Sequence, residues 1–166
     1  QKQKLTQEPV QELEQELVEN YPDLLRDFRD DSTKTALAWG CECDDGWFVP
    51  INKALNLIKW AVKDRSEYGY DVKVAQIKEK FGELRIYLHF IDADNMPQEV
   101  GDIISCIVHT AEQEASNTCE VSGVIGLLCK RGSWYKTISY EVSRDNGYEP
   151  VDEETRERWK ERDETQ

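Results

Sequence analysis

Gln76-Ile77-Lys78-Glu79-Lys80-Phe81-Gly82-Glu83-Leu84-Arg85-Ile86-Tyr87, in one line QIKEKFGELRIY, is the stretch whose reading decides the fold. From its second half onward, Leu84, Ile86, Leu88 and Phe90 alternate with Arg85, Tyr87 and His89. A period of two predicts a strand with one buried and one polar face. The run from Val72 to Phe81 is strand-like but alternates less cleanly. Phe81-Gly82 between them reads as a tight connection that needs a positive φ at the glycine. The stretch is therefore a β-hairpin, with Leu84, Ile86, Leu88 and Phe90 expected in the core.

Helical patterns flank the hairpin. Pro50 is a first-turn proline, and Ile51, Leu55, Ile58 and Val62 recur at helical spacing as far as Tyr68, where Gly69 ends the helix. After the loop Asp92 to Pro97, the residues Val100, Ile103, Ile104, Ile107, Val108 and Ala111 define a strongly apolar helix, expected to be the central one. Upstream, Thr6 to Pro9 starts a helix with Val10, Leu13 and Leu17 on a narrow stripe, and Leu24, Leu25 and Phe28 form a second short apolar face. Thr118 to Val142 is glycine-punctuated and reads as turns with short strands. Residues 152–166 are helix-forming and nearly all charged, with Trp159 as the anchor. The fold class is α+β: a small antiparallel sheet, centred on the hairpin, packed by two or three helices. The division expected is 1–31 as acidic N-terminal helices, 32–142 as the α+β core, and 143–166 as an acidic C-terminal helix or tail.

The 166 residues carry a formal charge of −13, placed mostly at the ends. Residues 1–31 hold nine acids and four bases, and 141–166 hold ten and five, so the ends supply −10 of the total. This disfavours contact with a nucleic-acid backbone and favours a partner with a basic surface. Five cysteines at irregular spacing, without an apolar run of the ~20 residues that span a bilayer, make a reduced cytoplasmic setting and no membrane contact the expectation.

Three pieces occur in order: Asp45-Gly46-Trp47 before a helix, Lys78 to Tyr87 (KEKFGELRIY), and Thr118 to Gly123 (TCEVSG) followed by Gly132 to Ile138 (GSWYKTI). In these the chain resembles an uncharacterised family of small bacterial and phage or prophage proteins that share a Lys-Glu-Lys-Phe-Gly hairpin. The resemblance covers about residues 39–142 and implies a bacterial host cell and a layout, not a mechanism. It further implies a zinc-ribbon-type segment of two cysteine pairs, whose positions here hold Cys119, Ser122, Ser139 and Val142. One thiol of four remains, so the segment is expected to be a metal-free turn held by Ile125, Leu127, Leu128 and Trp134.

Three functional readings follow. An enzyme would start from Asp44 or Asp45 with Gln76, Lys78 and Glu79, acids beside a strand lysine that could hold Mg²⁺ and polarise water. Nucleophilic catalysis has little to build on: His89 and His109 are the only histidines, and His109 is expected in the core. No catalytic residue, cofactor or metal is therefore assigned. A small-ligand site would use Lys78, Lys80, Arg85 and Tyr87 to grip a nucleotide's phosphate and base. The third reading leads: five tryptophans and seven tyrosines suit a non-enzymatic binder of a host protein or complex, an accessory protein that inhibits a defence or nucleic-acid-handling factor. Asp44, Asp45, Trp47 and Trp134 are the residues expected to meet that partner.

Overall fold

Strands β2 (Asp71–Lys80) and β3 (Glu83–Ile91) pair antiparallel, with Lys80 opposite Glu83, so only Phe81 and Gly82 form the turn between them. The computed structural model containing them describes residues 12–28 and 40–166. The weak alternation of β2 has a physical cause. A bulge between Val74 and Gln76 leaves Ala75 unpaired, so inward positions change from Val72 and Val74 to Ile77. A short strand β1 (Cys41–Glu42) lies parallel to β2 on its other edge, and Leu24 C=O accepts from Val74 N–H at 2.8 Å earlier along that edge.

Helices α1 (Glu12–Asn20), α2 (Phe48–Ala61) and α4 (Gln98–Ala115) complete this layer, with α3 (Arg65–Tyr68) a single turn before β2. Leu17, Tyr21, Leu24 and Leu25 join Ile51, Leu55, Ile58, Val72, Ile77, Leu84 and Ile104 in one core. Each fully buried leucine or isoleucine there stabilises the fold by roughly 1.5–3 kcal/mol. Tyr21 Oη donates to Asn52 Oδ1 at 2.8 Å and ties the N-terminal turn to α2. The helix start expected at Thr6 to Pro9, with Val10, lies outside the described residues.

Residues 118–166 form a second, smaller unit. A turn closed by the Thr118–Ile125 bridge leads into the hairpin β4 (Leu127–Arg131) and β5 (Trp134–Ile138), then α5 (Tyr140–Asn146), β6 (Glu149–Pro150) and α6 (Glu153–Glu164). The second sheet has the order β5-β4-β6, and its cluster is Cys119, Cys129, Ile138 and Tyr148. The expected anchor holds: Trp159 of α6 meets Tyr140 edge-on, with ring centroids 5.3 Å apart.

The chain is thus α+β, and packing corrects several expectations. The described part of the N-terminal segment contributes to the main core, and a second cluster of buried residues begins at Cys119. The apolar helix α4 is a flank, not a centre: Ile103 is half exposed, and His109 is exposed because it lies on the outer side of the helix. Leu84 and Ile86 are fully covered, whereas Leu88 and Phe90, further along β3, are only half buried. Ile125 and Trp134 do not hold the C-terminal turn, being 84% and 70% exposed. Among the described residues no helix is long and apolar enough to cross a membrane.

Candidate functional site

The hairpin register sets Lys78 opposite Arg85 and Gln76 opposite Tyr87. With Lys80 and Glu83 at the end of the ladder, these side chains share the face turned away from Ile77, Leu84 and Ile86. The structure therefore brings Lys78, Lys80, Arg85 and Tyr87 together. Arg85 is engaged by Glu83, whose hydrogen bond holds the guanidinium above its ordinary value. Lys78 and Lys80 have no ion-pair partner among the described residues, and Tyr87 is exposed.

At the turn both residues take positive φ, 52° at Phe81 and 81° at Gly82. That is the pattern of the mirror-image turns that match the twist of a two-residue hairpin. Gly82 is needed for a second reason. A Cβ there would meet Leu128 Cδ1 at 2.6 Å and Lys136 N at 3.1 Å. Thr137 Oγ1 donates to Gly82 C=O at 2.7 Å, so the hairpin tip is docked on the second sheet. Phe81 gains no burial from this and stays 72% exposed. Since Gly82 abuts Lys136, Phe81 and Tyr135 rise from adjoining backbone, while Trp134, next along β5, projects from the opposite face of the strand. All three rings are exposed.

A second seam lies beside the first. Gly46 in the 3-10 turn Asp45–Trp47 donates its N–H to Glu120 C=O at 2.7 Å, and a Cβ on Gly46 would fall 2.1 Å from Cys119 C=O. Glu120 is 2% exposed and accepts from Asp44 N–H at 3.0 Å. Lys136 Nζ lies 3.0 Å from Asp44 Oδ2 and 3.5 Å from Glu120 Oε1. Burial pushes the Glu120 carboxyl above its ordinary value, offset only in part by the Asp44 N–H and Lys136. Burial works to lower the Lys136 ammonium, but Glu120 and Asp44 outweigh it and hold the group up. Asp45 is exposed, and its carboxyl is raised by partial burial and by Asp44.

Of the residues expected to meet a partner, Trp134 and Asp45 are at the surface and Asp44 is tied to Lys136. Trp47 is not available. It is wholly buried with its indole N–H on Thr118 C=O at 2.9 Å, because Gly46 draws the turn onto the second unit. The acid-and-lysine set of the enzyme reading is split: Lys78 and Glu79 lie on opposite faces of β2, and Glu79 accepts from Gly82 N–H. No group of three or more His, Cys, Asp or Glu among the described residues is placed to hold a metal ion.

Cys119, Ser122, Ser139 and Val142 lie close together. Burial works to raise the Cys119 thiol, yet hydrogen bonds from the Ser122 side chain and from the Ser122, Ser139 and Val121 N–H groups hold it below its ordinary value. Ser139 Oγ accepts from Val142 N–H and caps α5. Sequence reasoning missed Phe81, Tyr135, Glu120 and Lys136. For Phe81 the signal was present: a two-residue turn before a glycine requires positive φ at the aromatic position too. Comparison with family models, with curated proteins and with solved structures finds no match to this chain.

Proposed function

We propose that the protein acts by stoichiometric binding to a protein partner, with the docked hairpin tip and β5 as the contact surface. The observation that carries the reading is Phe81: a large ring, 72% exposed, on a left-handed backbone that disfavours it. A side chain at such a position costs on the order of 1 kcal/mol relative to glycine or asparagine and recovers nothing in the core. Tyr135, on the same face of β5 as the Thr137 that meets Gly82, extends the surface with one of the residue types that dominate binding hot spots. The acidic chain ends, which supply −10 of the charge of −13, direct the protein as a whole toward a partner with a basic surface. The resemblance of the hairpin to small bacterial and prophage proteins supports a host factor as the partner, of the defence or nucleic-acid-handling kind, and inhibition as the outcome.

The test compares wild type with Phe81→Gly and Tyr135→Ala in capture from host-cell extract. Glycine suits φ 52°, so Phe81→Gly keeps the fold. The reading expects one protein held in equimolar amount by wild type, with affinity lowered roughly tenfold or more in each variant. Retention of that protein by both variants would sink it.

A second reading rests on Lys78 and Lys80, which lack an ion-pair partner among the described residues and lie beside Arg85 and Tyr87: a nucleotide or other phosphate held on the open sheet face. It expects a co-purifying ultraviolet-absorbing ligand, lost on Arg85→Glu and kept in Phe81→Gly.

A further inference from the structure

Away from the hairpin tip, α2 and α4 enclose an open, mostly apolar groove of about 370 Å³. Its walls include Leu57 and Ile103, each half exposed, and the exposed Cys106. Val49 and Trp60 of α2 continue the uncovered surface at 54% and 65% exposure. So much apolar area on two adjoining helices calls for a cover.

The charges specify which cover. On the groove side α2 carries Lys53 and no acid, and Lys63 follows just beyond the helix; Lys59 lies on the other side of α2, with Tyr21 and Val72. Helix α4 lines the groove with Asp102 and Glu114 and carries neither lysine nor arginine. The two helices run antiparallel. At one end Lys53 meets Glu114 at 2.9 Å and Trp47 meets Thr118, while at the other Asn95 donates to Gly69 C=O. A twofold axis parallel to both helices therefore lays α2 of one copy on α4 of the other, antiparallel, with cation facing anion at each end. Lys53 and Glu114 of two copies then alternate in a ring, and Lys63 faces Asp102 at the far end. Leu57, Ile103 and Cys106 fall in the apolar centre. A twofold axis perpendicular to the helices within the same face would set lysines against lysines. We infer that this face binds a second copy of the chain, closing an antiparallel four-helix arrangement.

The test is the mass of the full chain by analytical ultracentrifugation, from micromolar to several hundred micromolar. The inference expects a shift from 19.3 kDa to twice that value. Leu57→Asp and Ile103→Asp, at half-exposed positions that tolerate a charge in the monomer, should abolish the shift with an unchanged circular dichroism spectrum. Lys63→Glu and Asp102→Lys should each weaken the dimer about tenfold, the scale of 1.4 kcal/mol, and the double variant should recover it. A single 19.3 kDa species at every concentration would overturn the inference. So would a dimer indifferent to Leu57→Asp, or a double charge exchange that fails to recover association.

Discussion

Two glycines illustrate how unequal single residues are in this chain. Gly46 has backbone oxygens where any Cβ would go, 2.1 and 2.4 Å away, and neither can retreat without parting the two units. Gly46→Ala should therefore cost about 3 kcal/mol, seen as a fall of roughly 6–12 °C in melting temperature. Phe81 works in the other direction. Phe81→Asn should raise stability by about 0.5–1 kcal/mol while weakening partner capture, and a ring with only a structural role would lose stability instead. Glu120 supplies a pH test. Its folded carboxyl is raised by burial, so the folded state holds the proton more tightly than the unfolded chain. Stability from this group is then greatest below the ordinary glutamate range, and declines as pH rises from about 4.5 through the raised value. Denaturant melts across that interval should show wild type losing ground to Glu120→Gln as pH rises. Nothing in the sequence marked Glu120, since burial of one glutamate among 34 acids depends on contacts distant along the chain.

At the level of elements, the hairpin was legible because alternation is a local property. Leu84 and Ile86 follow it, and Lys78, Lys80, Arg85 and Tyr87 reach one face as the alternation requires. The bulge at Ala75 hid half of β2, because one extra residue inverts the parity of everything after it. Helix α4 misled for a different reason: apolar residues on more than one side suggest full burial, yet an open groove serves them as well. The turn after Thr118 was foreseen with Leu127 among its supports, but without Cys129, Ile138 and Tyr148 across the sheet. Its N–H groups nevertheless converge on the Cys119 sulfur as they would on a metal-bound thiolate. Replacing Ser122, Ser139 and Val142 together by cysteine should create a tetrahedral site. Thiolate-to-cobalt absorption with one equivalent of Co²⁺, displaced by Zn²⁺, would verify it, and the same titration of wild type should leave the spectrum flat.

For the whole molecule, the division of charge is readable from composition, whereas the two clusters of buried residues arise from contacts distant along the chain. The second unit fully buries only Cys119, Cys129, Ile138 and Tyr148 as its apolar cluster, too little to offset the entropy of ordering 49 residues. Residues 118–166 produced alone should give no cooperative melt, and adding them to residues 1–117 should restore a single transition. If the acidic surface steers association, raising salt should slow partner capture, with the association rate falling more than the dissociation rate rises. The seam also bears on timing. Asp44 and Glu120 are 76 positions apart, Gly82 and Thr137 are 55, and Asp44 and Lys136 are 92. Synthesis runs from the N-terminus, so Gly46 and the hairpin tip leave the ribosome well before the segment that docks on them. The early layer is a finished berth, and a nascent chain halted before Thr118 would display the Gly46 N–H, the Trp47 indole N–H and the Gly82 carbonyl with their later partners still unmade.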